Sequence, residues 1–433
     1  MELLNRVAGA CALAVLLSFN AGGVAAQSAS ASAAGASPGA SHWVQTWGAA
    51  PLPPSEAFGP FPASPSFSNQ TIRQIVRVSL GGRRIRIRFS NEYGGKPLLI
   101  GAASVAPAGD KGQIQPGTMH PLTFSGSRSV LVPAGAPLLS DPIDLPVATL
   151  GSLSISLYLP GDTGPCTCHQ TGAQTAYISD TGNFVDSEFA PKSTSQYREF
   201  LSGVDVEAGP DGRAVVVLAD SISDGVGATP DANRRWPDLL ANRLDAGGHG
   251  GWGVVNMGIS GNQLLTDGMG VSALARFDRD VIAVPGVQAL IVFIGVNDLG
   301  VGFGSDAQGG MGKIVEKIKN PSADFKLTPE AMIAGYRQLI ARAHAHGIRV
   351  IGATITPYDG ASYYTPQGEA VRQAINSWIR TSREFDGVLD FDAAWRDPAH
   401  PTQIKDGWNI DHLHGNDVGY QVLADSIDLT LLR

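Results

Sequence analysis

The rhythm of apolar and polar positions changes near residue 210. Before it, short alternating runs are separated by turn residues. Thr71 to Leu80 carries Ile72, Val76 and Val78, Gly81-Gly82 follows, and Ile85, Ile87 and Phe89 alternate with arginines. Asn91 to Gly95 marks another turn, Arg128 to Val132 a further strand, and Leu153, Ile155, Leu157 and Leu159 again alternate. A period of two residues predicts half-buried strands. Many short strands joined by Gly and Pro turns predict a β-sandwich over residues 42–205. Trp43 and Trp47 open this region and read as core packing, with stacking on a sugar as the rival.

Residues 213–433 read differently. Ala214 to Ala219, Gly253 to Met257, Ala289 to Ile294, Val350 to Thr354 and Val388 to Phe391 are nearly unbroken apolar runs, as suits parallel strands buried on both faces. Helical patterns fall between them at Trp236 to Leu244, Pro329 to Ala345, Pro366 to Ser382 and Val418 to Leu431. Thr328 is placed to cap the second helix and Gly347 to end it. Strand and helix alternation predicts a doubly wound parallel α/β sheet. Ligands of such sheets bind beyond the carboxyl ends of the strands; Ser221, Gly261 and Asn297 all follow such ends.

Composition narrows the function classes. Of the 433 residues 43% are hydrophobic and 16% charged, which marks a globular chain. Thirty-one basic against 39 acidic residues give a net charge of -8. That balance disfavours a general nucleic-acid binder. Arg83, Arg84, Arg86 and Arg88 alternate with apolar residues and read as the wet face of a strand. Residues 1–26 carry Arg6, an apolar stretch from Val7 to Phe19 and Val24-Ala25-Ala26, the pattern of a signal peptide. Residues 27–41 are rich in Ser, Ala and Gly and read as a flexible leader. With no later stretch of eighteen apolar residues, the expectation is a secreted or periplasmic chain with no transmembrane segment. Of three cysteines, Cys11 lies in the signal segment, while Cys166 and Cys168 are flanked by Pro165 and His169. They leave open a local disulfide, two free thiols, or a metal site with His169. The last lacks the second ligand pair of zinc signatures.

Candidate chemistry sits at two places. Ala219-Asp220-Ser221 follows a buried strand, and Asp411-His412-Leu413-His414 lies near the C-terminus. Serine, histidine and aspartate together support acyl transfer. Singly, Ser221 also reads as a strand-end cap, Asn297 as a turn residue, Gly258 and Gly261 as turn glycines, Asp411 as a loop cap, and His412 as a rival to His414. An Asp-His-His cluster also invites a metal, but its spacing offers no regular scaffold, so no metal is expected.

Four blocks in chain order resemble the GDSL-type, or SGNH, family of esterases and lipases: Ala219-Asp220-Ser221, Asn256 to Asn262, Gly295-Val296-Asn297-Asp298, and Asp411 to His414. The resemblance covers about residues 213–430. Ile72 to Gly94 also looks like the β-rich domain that precedes the hydrolase in a secreted bacterial subgroup. The resemblance implies Ser221 as nucleophile, His414 as general base and Asp411 as its orienting carboxylate. It implies an oxyanion hole from the backbone N–H groups of Ser221 and Gly261 and the side-chain amide of Asn297, and no cofactor. Two positions depart from the family pattern: Ala219 stands where glycine is usual, and Gly415 where proline is frequent, which is expected to loosen the loop carrying His414.

The implied reaction is hydrolysis of carboxylic esters, with small acyl esters or O-acetyl groups on glycans as substrates. The rivals are a secreted glycan-binding protein with a degenerate hydrolase domain and a sugar-releasing hydrolase, which needs two working carboxylates. Leu299 to Lys326 reads as either a rim over the site or a surface insertion, and Tyr358, Tyr363 and Tyr364 as a substrate rim or as packing. The oligomeric state is left open.

Overall fold

The structure, a computed structural model, describes residues 41–57, 62–114, 117–303 and 326–433. The expected signal peptide, the leader up to residue 40 and most of the Leu299 to Lys326 stretch lie outside the described residues. Gly39–Arg433 form one compact unit.

The first half is built of antiparallel strands. One sheet joins β1 (His42–Gly48), β14 (Leu201–Ala208), β3 (Ile85–Asn91) and β8 (Ala136–Leu139) in that order. A second joins β12 (Ser193–Ser195), β11 (Ala176–Thr181), β2 (Gln70–Arg77), β9 (Ser152–Leu159), β5 (Ala102–Pro107) and β6 (His120–Pro121). Two short ribbons pair β4 (Leu98–Ile100) with β7 (Val130–Val132) and β10 (Cys168–His169) with β13 (Arg198–Glu199). Ile85, Ile87 and Phe89 are buried, as their alternation predicts. The arginines between them are not simply wet. Arg86 and Arg88 converge on the fully buried Asp205 of β14, at 2.8 and 2.9 Å, and Arg86 also lies over the Trp43 ring. The carboxylate pulls both guanidinium groups inward, because a buried charge without a partner is costly.

The second half holds a five-stranded parallel sheet. Its strands are β15 (Arg213–Ala219), β16 (Trp252–Gly258), β17 (Val287–Phe293), β18 (Arg349–Ala353) and β19 (Gly387–Leu389), ordered β16-β15-β17-β18-β19. Ala214 to Ala219 are all buried, which explains their unbroken apolar run. The helices are α1 (Ser221–Asp224), α2 (Trp236–Ala246), α3 (Ala273–Phe277), α4 (Val296–Phe303), α5 (Pro329–Ala345), α6 (Pro366–Thr381), α7 (Phe391–Trp395) and α8 (Asp417–Ser426). Thr328 caps α5 by accepting from the Ala331 N–H, and Gly347 takes φ +71 just past its end. The expected strand at Val388 to Phe391 stops at Leu389, because the Asp390 side chain accepts from the Ala393 N–H and starts α7. The last helix is shorter than its pattern. It ends at Ser426, and a 3-10 turn covers Leu429–Leu432.

The halves meet along β1 and β16. The Gln45 N–H donates to the Pro285 carbonyl at 3.0 Å, the Val254 N–H donates to Ser79 Oγ at 2.7 Å, and the space a Gly253 side chain would fill is occupied by the Gln45 carbonyl. In the α/β half, Asp392 of α7 is fully buried and accepts from Arg372 at 2.7 Å, Arg380 at 2.5 Å and Arg396 at 2.6 Å. Removing one partner of a buried ion pair costs roughly 3–5 kcal/mol. Asp392→Ala leaves the buried Arg372 with Glu369 as its remaining carboxylate, at 2.7 and 2.8 Å, and takes a partner from Arg380 and Arg396, so it is expected to lower the unfolding free energy by about 3 kcal/mol, the low end of that range. Urea titration reads it; a midpoint unchanged from the parent contradicts the role given to Asp392.

Candidate active site

β15 ends at Ala219, and Asp220 caps the turn that follows by accepting from the Ile222 N–H at 3.1 Å. This places Ser221 first in α1, directly beyond the sheet. Ala219 is fully buried at the end of its extended strand and outside the positive-φ residues, so its methyl group costs no backbone strain there. Gly258, at the end of β16, is a position where glycine is required. An added Cβ would lie 2.7 Å from the Asp224 nitrogen and 3.0 Å from the Asp220 carbonyl.

The Ser221 hydroxyl, 3% exposed at residue level, lies 2.8 Å from His414 Nε2. His414 Nδ1 lies 2.7 Å from Asp411 Oδ2, and Asp411 Oδ1 accepts from the His414 and Leu413 N–H groups at 2.8 and 3.2 Å. A carboxylate only accepts, so the proton belongs on Nδ1, and the Nε2 lone pair faces the Ser221 O–H. Partial burial opposes ionisation of Asp411. The hydrogen bond and charge of His414, together with the backbone donors, outweigh it and hold this carboxyl below the usual range. His412 does not share the site: it is exposed, at φ +64, with its ring against Gly360.

The loop that brings His414 back is tightly packed. The Ile410 N–H donates to the His414 carbonyl at 3.0 Å. A Cβ on Gly415 would come within 2.8 Å of the Trp395 ring and 2.9 Å of Tyr420. The expectation that Gly415 loosens this loop is therefore corrected: the tryptophan fills the space a side chain would take. Trp395 is itself fixed by its indole N–H on the Gly419 carbonyl at 2.7 Å.

A hydrogen-bonded path links the other strand exits to α1. Asp224 Oδ2 accepts from the Ser260 N–H at 2.9 Å and from its hydroxyl at 2.8 Å. Gly261, next in the chain, takes φ +75 and is backed by Met269. The Asn297 amide donates to the Asn262 carbonyl at 3.0 Å, which leaves its second amide hydrogen free of that bond, and its Oδ1 accepts from the Tyr363 hydroxyl at 3.3 Å. Among the described residues, none accepts from the backbone N–H groups of Ser221 and Gly261. Beneath the path, the buried Arg276 donates to the Ala219 carbonyl at 3.1 Å, the Met257 carbonyl at 2.7 Å and Asn262 Oδ1 at 3.1 Å. One guanidinium thus ties together two strand ends and the glycine loop.

Of the tyrosines read as a rim, Tyr358 is corrected: it is fully buried against Tyr363 and Tyr364 and lines no opening. Tyr363 is 8% exposed and stands behind Asn297, while Tyr364 is half-buried. Cys166 and Cys168 are joined as a disulfide. His169 points away from them, to Ala50 and Asp224. Among the described residues no group of three or more His, Cys, Asp or Glu side chains is placed to hold a metal ion, and no helix is long and apolar enough to cross a membrane. Sequence reasoning missed Asp224, Arg276 and the contacts of His169 and Tyr363, having read His169 only as a possible metal ligand. Only Asp224 carried a signal, as a charge three residues after Ser221.

Residues 220–422 match the model of the GDSL-like Lipase/Acylhydrolase family. The C-terminal part of the chain is a GDSL-type lipase/esterase domain, and a mostly antiparallel β-rich region precedes it. No curated protein matches this chain. Among solved structures it is similar to LAE5, an alpha/beta hydrolase enzyme from the metagenome of Lake Arreo, Spain, at 21% identity over 51% of this chain and 94% of that one, TM-score 0.36. It is also similar to a catalytic mutant of the acetylxylan esterase Axe2 from Geobacillus stearothermophilus, at 20% identity over 51% and 94%, TM-score 0.37. A third likeness is the lipase/acylhydrolase from Enterococcus faecalis, at 19% identity over 49% and 92%, TM-score 0.35.

Two buried carboxyls flank this chemistry. Burial pushes Asp220 up to about 7, against its Ile222 N–H bond and with the charges of Asp298 and Asp224 adding to the rise. Burial likewise pushes Asp298 up to about 7, although the Leu264 and Leu265 N–H groups favour its charge. A carboxyl raised on folding binds more protons in the native chain. Its contribution to stability is full below the unfolded value near 4 and is lost as pH rises through the folded one. Asp298→Asn, which cannot ionise, should therefore cost less stability at pH 7.5 than at pH 4.5, by about 1–3 kcal/mol. Urea midpoints at the two pH values measure the difference; a penalty that is constant or grows with pH contradicts the raised carboxyl.

Proposed function

We propose that the chain is a serine carboxylic ester hydrolase that works through an acyl-enzyme, acting on small acyl esters or on O-acetyl groups of glycans. The observation that carries this reading is the Ser221–His414–Asp411 chain of 2.8 and 2.7 Å hydrogen bonds, inside the GDSL-type domain. Ser221 Oγ attacks the ester carbonyl carbon while its proton passes to His414 Nε2. The negative charge of the tetrahedral intermediate meets the backbone N–H groups of Ser221 and Gly261 and the Asn297 amide. Collapse breaks the bond to the alcohol oxygen, which leaves with the proton from His414. A water molecule then gives a proton to Nε2 and attacks the acyl carbon; collapse breaks the bond to Ser221 Oγ, which takes that proton back from His414 as the acid leaves. Asp411 keeps the imidazole oriented and stabilises the imidazolium. No cofactor enters these steps.

The extended, strain-free backbone at Ala219 and the close Ser221–His414 contact favour turnover over a degenerate glycan binder. We assign residues 42–205 to a β-sandwich accessory domain and 213–433 to a doubly wound SGNH-type hydrolase domain. Residues 1–26 are taken as a signal peptide that sends the protein to the periplasm or outside the cell.

A panel of aryl acyl esters and acetylated oligosaccharides, read by released acid and mass change, tests the reading. Ser221→Ala is expected to lower kcat by about 10⁴-fold or more, and Asn297→Ala by about 10²–10³-fold. Ester hydrolysis that survives Ser221→Ala contradicts the mechanism. Sugar release in that variant favours a glycosidase. Equal inactivity of both forms with retained glycan binding favours the binding protein.

A further inference from the structure

The oxyanion loop is held from outside the hydrolase half. We propose that His169, carried by the β-rich half, is a positioning residue that acts through Asp224 and Ser260 to fix the turn presenting the Gly261 N–H. The proposal rests on the ester-hydrolase reading above, because it takes that N–H as a donor to the reacting oxygen.

His169 sits on the two-residue strand β10, paired with Arg198 of β13, directly after the Cys166–Cys168 disulfide. Further backbone bonds anchor the strand: the Leu52 N–H donates to the Cys168 carbonyl at 2.9 Å, and the Phe200 N–H to the Thr167 carbonyl at 3.0 Å. The His169 ring is 4% exposed at residue level. Its Nδ1 lies 3.0 Å from the Ala50 carbonyl and its Nε2 2.8 Å from Asp224 Oδ1. The other oxygen of that carboxylate takes the Ser260 N–H and hydroxyl, and Thr171 Oγ1 lies 3.0 Å from the same hydroxyl. Two groups of the β-rich half, His169 and Thr171, therefore fasten the residue just before Gly261.

The geometry makes this a close tie, since Asp224 Oδ1 has the His169 ring as its hydrogen-bond partner and Oδ2 has Ser260. Loss of the ring leaves Asp224 buried with one oxygen unpartnered, and such a group reorganises or draws in water. The carboxylate also belongs to α1, three residues after Ser221, so its movement disturbs nucleophile and oxyanion loop together.

The test uses the full chain with p-nitrophenyl acetate as probe, and hydrogen–deuterium exchange on peptides spanning residues 256–264. His169→Phe keeps a ring but removes both hydrogen bonds. It is expected to raise exchange at residues 259–262 about tenfold or more and to lower kcat about 10–100-fold with KM within about twofold, the scale expected for a misplaced reacting group. His169→Gln, which keeps an amide donor, should recover part of both. If His169→Phe does not fold, Ser260→Ala carries the test, since it keeps the backbone N–H and loses the hydroxyl's two contacts; the same direction of change is expected. A folded His169→Phe with parental exchange and parental kcat overturns the proposal, as does raised exchange with kcat unchanged. If the parent itself hydrolyses no ester, the ester-hydrolase reading fails, and the oxyanion role of Gly261 with it. The exchange result alone then decides whether His169 holds the turn.

Discussion

One hydrogen bond joins residues 193 positions apart, between the Ser221 hydroxyl and His414 Nε2, and much of the α/β half serves to hold its two ends in register. At one end, the parallel sheet brings β15 to a stop beneath a capped turn, with Arg276 gripping the last carbonyl of the strand. At the other, the loop before α8 is wedged between Trp395 and Tyr420, and no side chain fits at Gly415. The contact is short because both supports are buried and packed.

Much of the polar chemistry sits in places where burial is expensive. Asp205, Asp224, Asp280, Asp298 and Asp392 are all buried, and each has its own set of donors. A buried carboxyl without partners is costly, so each of these fixes the elements that supply its donors. Asp205 draws two arginines of β3 to β14. Asp392 gathers α6 and α7. Asp224 joins α1, the glycine loop and the β-rich half. These carboxyl groups act as joints, and Asp224, three residues after Ser221, is the one among them bonded to both halves.

The elements that depend on local sequence were legible before the structure. Ala214 to Ala219 lies inside a sheet covered on both faces, so burial leaves a continuous apolar run. The helices at Trp236 and Pro329 begin at the expected residues because their start signals are local. The four blocks of the candidate site were visible because each follows a strand end or precedes the last helix. Boundaries failed where a side chain competed with the pattern, as when Asp390 capped α7 and cut the last strand short. The contacts that proved hardest to foresee join residues far apart in the chain. The His169–Asp224 bond spans 55 residues, the Arg276–Ala219 bond spans 57, and the burial of Tyr358 comes from its neighbours rather than its own hydropathy. Periodicity reports which face of an element is covered, not what covers it.

The central claim is that Ser221 forms a covalent bond to the acyl group, with His414 serving as its base. The most direct measurement is acid-quenched peptide mapping of the protein after brief mixing with an aryl acetate. The account predicts one acetyl group on the peptide that contains Ser221, formed and lost at rates that match turnover, with no such adduct in Ser221→Ala. Steady acetate release with that peptide unmodified at every time point, or with the acetyl group on another residue at the turnover rate, contradicts it.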